Sequence, residues 1–356
     1  MRLLPRQRNR LYRPKRLLYK KPDFRARIRT HGATHMPGPQ ISPDQSGQVA
    51  DAVTGNWVDT LAPAWTRPYL RLSRADRPIG TWLLYLPCVW GTLLAMLYTG
   101  ETRLFDAWII LGCGIGAFLM RGAGCTWNDI TDRDFDGSVA RTASRPIPSG
   151  QVTVKQALAW AVVQSLIAFC ILITFPIQAI LLGIIALVPV AIYPFAKRFT
   201  WWPQVFLGIA FNWGALLAWT AHTGQLQWPA VFLYVAGMAW TLFYDTIYAH
   251  QDTEDDALIG VKSTARLFGE ETPKYLACFL VLTVALMGYA IILAAPRGEI
   301  LALVIALGGP WAMGWHMMWQ MRRLKLDDMD RLLHLFRSNR DAGLIPVLFF
   351  AAALFA

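Results

Sequence analysis

The sequence predicts an all-α, polytopic membrane protein with nine transmembrane helices. Three observations carry this: the composition, the recurrence of apolar runs and the placement of positive charge. Of 356 residues, 55% are hydrophobic and 13% aromatic, while only 16% are charged. Soluble domains carry about 25% charged residues, so this chain is biased toward lipid. Apolar runs of about 17–25 residues can cross a hydrocarbon layer roughly 30 Å thick as helices. Such runs lie near 79–99, 105–126, 156–175, 178–195, 204–221, 229–249, 275–295, 299–320 and 342–356. The last is short, and only "FPIQ" separates the third from the fourth.

Charge tests this count. With the N-terminus inside, the inner segments 66–78, 127–155, 196–203, 250–274 and 321–341 hold four, four, two, three and six Lys/Arg. The outer loops hold only Arg103 and Arg297. Nineteen against two is a strong positive-inside asymmetry, and inserting or deleting a span would destroy it. Trp65, Tyr98, Trp228 and Trp319 fall near span ends, where amphipathic rings anchor at the interface.

The net charge of +11 belongs to one tail. Residues 1–35 hold twelve Lys/Arg against the single acid Asp23, and the remaining chain is neutral, with 22 bases and 22 acids. No nucleic-acid-binding motif accompanies the tail, so no nucleic-acid partner is expected. The tail has no apolar core of a secretory signal; in composition it resembles a mitochondrial transit peptide without the serines. The preferred reading is a disordered basic arm, or an extension upstream of Met36. Residues 1–65 are accordingly expected to be disordered tail and linker, and residues 66–356 the membrane domain. Cys88, Cys113, Cys125, Cys170 and Cys278 lack paired or metal-ligating spacing and read as small core hydrophobes.

Acids concentrate at two places on the inner face. Asp129, Asp132, Asp134 and Asp136 follow the second span; Asp245, Asp252, Glu254, Asp255 and Asp256 close the sixth in "YDTIYAHQDTEDD". If both helices continue past the membrane edge, Asn128, Asp132 and Asp136 share one face, as do Asp245, Tyr248, Asp252 and Asp256 on the other helix. Like charges at i, i+4 destabilise a helix, and ionisable groups near lipid are costly, so a cation must offset them. Mg²⁺ prefers one or two carboxylates together with substrate phosphates, which makes two facing stripes a site for a metal-held diphosphate. The alternative is a solvated acidic loop paired with nearby bases. Arg141 and Arg145 in "RTASRP", Lys197 and Arg198 in "YPFAKR", Lys262 in "GVKSTA" and Arg77 in "RADRPIG" accompany the acids. Arg and Lys hold phosphate oxygens directly, although each alone also fits inner-face anchoring. His250 reads as a helix-surface residue rather than a metal ligand. A transporter is set aside because such proteins place ionisable groups near span centres, and these acids sit at the rim. A non-catalytic scaffold would tolerate loss of Asp132 or Asp252.

These motifs carry a resemblance. "NDITDRDFD" matches NDxxDxxxD, and "DTIYAHQDTEDD" resembles the second aspartate-rich motif of the UbiA superfamily of intramembrane prenyltransferases. "DRPIG", "RTASRPIPSG" and "YPFAKR" resemble its 4-hydroxybenzoate polyprenyltransferase branch, and the likeness runs from about residue 66 to the C-terminus. The resemblance implies nine transmembrane helices around a central cavity. It also implies transfer of a polyprenyl group from an all-trans polyprenyl diphosphate to the ring carbon ortho to the hydroxyl of 4-hydroxybenzoate, in ubiquinone biosynthesis. A different aromatic acceptor is the alternative. Mg²⁺ is the implied cofactor, on Asn128, Asp129, Asp132, Asp136, Asp252 and Asp256, with Asp132, Asp252 and Asp256 the catalytic acids. Arg141, Arg145, Lys197 and Lys262 are the diphosphate contacts. Arg198, Arg77, Arg133, Tyr193, Asp245 and Tyr248 are candidates for the acceptor. Expected partners are the two substrates, the lipid bilayer and other enzymes of ubiquinone biosynthesis. The wording of the first span and its approach points to a bacterial inner membrane with cytoplasmic active-site loops; the mitochondrial inner membrane, matrix side, is the alternative.

Overall fold

The computed structural model describes residues 55–136, 142–295 and 298–356, without the side chains of Asp134, Phe135 and Asp255. Every regular element among them is helical. Two short helices, α1 (Trp57–Thr60) and α2 (Arg67–Leu72), precede the membrane region. Residues 56–65 therefore depart from the expected linker. Asn56 caps α1 by accepting from the Val58 and Asp59 amides, the Trp57 indole donates to the Ala75 carbonyl at 3.0 Å, and buried Arg71 bonds Asp59 at 2.9 Å. These local polar ties order a segment whose composition reads as linker. Residues 1–54, on which most of the tail expectation rests, lie outside the described residues.

The membrane region follows as α3 (Ile79–Thr99), α4 (Leu104–Asp136), α5 (Val154–Leu172), α6 (Ile177–Ile185), α7 (Leu187–Phe199), α8 (Pro203–Thr223) and α9 (Trp228–Ala249). Next come α10 (Thr253–Ile259), α11 (Thr264–Phe268), α12 (Thr272–Ala294), α13 (Ile300–Arg323), α14 (Met329–Arg337) and α15 (Asn339–Ala353). Among the described residues, eight helical segments are long and apolar enough to cross a membrane. The ninth expected span is α15, whose 15 residues reach only about 22 Å at 1.5 Å per residue.

Departures from a simple bundle have identifiable causes. The fourth span breaks at Ala186 into α6 and α7. Pro189 has no N–H for the Ile185 carbonyl and its ring crowds that carbonyl, so the first helix must end and the proline falls in the first turn of the next. At 33 residues, α4 spans about 50 Å, well beyond a hydrocarbon layer of about 30 Å, and carries its acids out past the lipid. The inner segment 321–341, read from sequence only as basic, contains α14, which buries Leu332 and Leu335.

The main core joins α3, α8, α9, α12, α13 and α15. At its centre the Trp90 and Trp240 rings lie 5.1 Å apart, and each indole N–H is satisfied, Trp90 by the Gly343 carbonyl and Trp240 by Asn339 Oδ1. Asn339 also exchanges bonds with Gln320. Polar groups at membrane depth need such internal partners. The outer end is tied by His222 Nδ1, 2.6 Å from Asp106, with Nε2 2.8 Å from Thr99 Oγ1. All five cysteines are unpaired; Cys88 and Cys113 are buried as expected, whereas Cys170 and Cys278 face outward from the bundle.

Candidate active site

The two acid stripes meet. Asn128, Asp132 and Asp136 from α4, together with Asp245, Tyr248, Asp252 and Asp256, line a cleft of about 310 Å³ at the inner end of the bundle. On α4 the spacing works as expected, because the helix runs unbroken through Asp136. The second stripe is not one continuous helix: α9 ends at Ala249, His250–Asp252 form a 3₁₀ turn, and α10 then runs to Gly260, whose φ of 76° closes it. The turn reorients α10, yet all four predicted side chains still reach the cleft. His250 is not the helix-surface residue expected from the sequence. It is buried, with Nε2 2.9 Å from Thr272 Oγ1, fastening the turn to α12.

Cations cross-link the acids. Lys197 Nζ lies 2.5 Å from Asp132 Oδ2, and Arg198 reaches Asp132 Oδ1 at 3.4 Å. Arg145 bonds Asp136 at 2.6 Å and Asp129 at 3.4 Å. Lys262 lines the same cleft and donates to the Phe199 carbonyl at 3.3 Å. The Asp136 carboxyl is pushed above the usual range by burial, with Asp129 and Asp132 adding to this and Arg145 opposing it.

Asp129 does not line the cleft. Its side chain is fully buried and held by both terminal nitrogens of Arg74, at 2.9 and 2.5 Å. Arg74 has φ 57°, the one positive value outside glycine among the described residues; such a conformation is uncommon and persists when the surroundings fix it. Sequence reasoning missed Arg74, because its partner lies 55 positions away. Among the acceptor candidates, Arg198 also donates to the Thr131 carbonyl at 2.8 Å and lies outside both cavities. Arg133 is exposed and also outside them. Arg77 pairs with Asp76 at 3.2 Å and faces the second cavity. Arg141 lies outside the described residues.

That second cavity, about 400 Å³ and chiefly apolar, lies within the bundle between α3, α4, α5, α7 and α8. Tyr193, Leu207, Asp245 and Tyr248 line both spaces, so a polar head and an apolar body adjoin. From α14, the Phe336 ring lies tilted against Tyr248, with centroids 4.5 Å apart, and Arg337 faces the cavity. Arg121 is the unforeseen member. Its Nε and Nη1 are buried with no hydrogen-bond partner among the described residues, and it faces this cavity. It packs flat against Gly80, where any Cβ would lie 2.3 Å from the guanidinium carbon. An arginine inside an apolar run is a functional signal by itself, and it was legible in the second span.

Among the described residues, no three His, Cys, Asp or Glu side chains converge closely enough to chelate an ion unaided. The donor set across the cleft is nonetheless all hard oxygen, the kind that holds Mg²⁺ jointly with phosphate. Comparison with known proteins identifies the family of the chain. The sequence profile described as the UbiA prenyltransferase family matches residues 84–339. The chain belongs to this family.

The chain is 43% identical over 321 residues to the Bos taurus protein named 4-hydroxybenzoate polyprenyltransferase, mitochondrial, covering 89% of this chain and 83% of that one. The Homo sapiens protein of the same name is 43% identical over 336 residues, covering 92% and 87%. The fold is shared with a UbiA homolog from Aeropyrum pernix (TM-score 0.60, 22% identity, covering 77% and 96%). It is shared equally with one from Archaeoglobus fulgidus bound to GPP and Mg²⁺ (TM-score 0.59, 22% identity, covering 81% and 100%).

Proposed function

We propose that this UbiA-family chain transfers a polyprenyl group from a polyprenyl diphosphate to the carbon ortho to the hydroxyl of 4-hydroxybenzoate, releasing diphosphate, as a step in ubiquinone biosynthesis. The observation that carries this reading is the shared wall of Tyr193, Asp245 and Tyr248 between an acid-lined cleft and an apolar cavity. A prenyl diphosphate has those two halves joined at the carbon that reacts. Relatives at 43% identity named for this activity support the acceptor.

Asn128, Asp132, Asp136, Asp252 and Asp256 would hold Mg²⁺, which supplies neutralisation of the diphosphate as the allylic C–O bond breaks. Lys197, Arg145 and Lys262 line the cleft and are placed to donate to diphosphate oxygens. Arg121, with buried donors facing the cavity, fits the acceptor carboxylate better than Arg198 does. Tyr193 and Tyr248 line the junction of the two spaces, where the reacting carbon would lie, and would shield its developing positive charge. The ring carbon then bonds to C1 of the prenyl group, the C1–O bond breaks, and the displaced ring proton passes to a nearby base. Asp252 remains the candidate for deprotonating the phenol.

The chain is a membrane protein. The quoted relatives are named as mitochondrial, which supports the mitochondrial inner membrane over the bacterial one first expected. The deciding assay incubates membranes containing the chain with labelled 4-hydroxybenzoate, a polyprenyl diphosphate and Mg²⁺. A lipid-soluble product that disappears with EDTA is expected. Asp132→Asn and Asp252→Asn should each lower its formation by at least about a hundredfold with unchanged membrane expression, as when preorganised charge stabilisation is removed. Wild-type membranes that yield no such product would sink the proposal.

A further inference from the structure

Gly80 is the one glycine among the described residues whose missing side chain leaves room for a charged group. An ideal Cβ there would sit no more than 2.5 Å from Cζ, Nη2 and Nε of Arg121 alike, so the guanidinium plane lies face-on against the backbone of α3. That backbone is a firm platform. Pro78, whose ring fixes its φ, precedes α3, and its carbonyl accepts from the Thr81 and Trp82 amides at 2.9 and 3.2 Å.

Arg121 needs such a platform. On α4 it lies about 10 Å from the level of Asn128 toward the bundle interior, at 1.5 Å per residue. At that depth its Nε and Nη1 are buried with no hydrogen-bond partner among the described residues. Long cationic side chains near lipid ordinarily bend toward water or pair with an opposite charge. No partner on these atoms fixes the Arg121 side chain, whereas the open face of Gly80 gives it one definite place to lie. Gly80 and Arg121 line the same cavity, beside Arg77 and Tyr244.

We propose that Gly80 is a positioning residue for the acceptor: it seats Arg121 flat on the first turn of α3, so that the guanidinium meets the carboxylate of an aromatic acid. This rests on the reading of Arg121 as the acceptor contact. Recognition of a carboxylate by arginine depends on the orientation of a planar fork, and a misplacement of about 1 Å is enough to lose much of what a positioned group contributes. A methyl group at residue 80 takes the space of the guanidinium and must push it away. What moves is the far end of a flexible side chain rather than backbone. Gly80 lies within α3, and alanine is a better helix former than glycine. Gly80→Ala therefore removes the seat and keeps the fold.

The test measures binding of 4-hydroxybenzoate, and of its neutral analogue 4-hydroxybenzamide, to the full-length protein in detergent by equilibrium dialysis. Wild type, Gly80→Ala, Arg121→Met and the double variant are compared. Gly80→Ala is expected to weaken 4-hydroxybenzoate by about tenfold, as when one charge-assisted contact is lost, and to leave the amide within about twofold. In the Arg121→Met background the same substitution should change either ligand by less than about twofold, because the two residues act as a unit. The melting temperature of Gly80→Ala should match or exceed that of the wild type. Four outcomes overturn the proposal: unchanged 4-hydroxybenzoate binding in Gly80→Ala, equal weakening of both ligands, an undiminished loss in the Arg121→Met background, or a wild type that does not prefer the carboxylate. Binding is read without a prenyl donor or turnover. A failure to prenylate 4-hydroxybenzoate would thus count against the proposed function and leave the seating of Arg121 standing.

Discussion

At the scale of single residues, two arginines with opposite roles organise the site. Arg74 spends its charge on Asp129, in a fully buried bidentate pair. Arg121 keeps two buried donors facing the cavity. A charge left with donors to spare in an apolar wall is costly unless a ligand meets it, and a benzoate carboxylate is such a ligand. Arg121→Met is therefore expected to raise KM for 4-hydroxybenzoate by about tenfold or more, equivalent to about 1.4 kcal/mol. Binding of the prenyl diphosphate should change little. Steady-state kinetics with each substrate varied in turn checks this; an unchanged acceptor KM would remove Arg121 from the site. Asp132, Asp136, Asp252 and Asp256 were legible as residues because their spacing is local. The partner of Asp129 was not, since it comes from a distant corner before α3.

At the scale of elements, the corner between α2 and α3 holds the acid-bearing end of α4. Removing one partner of a buried ion pair costs about 3–5 kcal/mol, because the other charge is left uncompensated. Arg74→Ala should accordingly lower the melting temperature of the purified protein by several degrees, while Arg74→Ala combined with Asp129→Asn recovers part of the loss. Thermal unfolding in detergent measures both; a double variant no more stable than the single one would argue against the pair. Element geometry is also where local pattern reasoning reached its limit. The α4 stripe followed from helical spacing alone. The second stripe reaches the cleft through a 3₁₀ turn fastened by His250 and Thr272, a tertiary contact no spacing rule contains. Pro189, by contrast, announces the α6–α7 break in the sequence itself.

At the scale of the whole molecule, if α15 crosses along with the eight long segments, the two ends of the membrane domain lie on opposite sides. A reporter fused after Ala356 should lie on the outer face, and one inserted at the α10 loop on the inner face. Protease protection in sealed vesicles distinguishes them, and a C-terminal reporter on the inner side would mean that α15 does not cross. With 15 residues, α15 is short for a span. Yet Gly343 and Asn339 lock it to Trp90 and Trp240 in the centre of the core. The structure that positions it is packing rather than hydropathy.

The sequence by itself determined the fold class, the eight long spans and both acid stripes, because hydropathy and helical spacing are properties of neighbouring residues. Only the tertiary structure decided which charges meet. It joined Arg74 to Asp129, turned Arg198 toward Asp132 and the Thr131 carbonyl, aimed Arg121 into the cavity and laid α14 over its inner end. The physical reason is that a charge near lipid must find its partner in space. Here the helices that supply those partners are far apart along the chain.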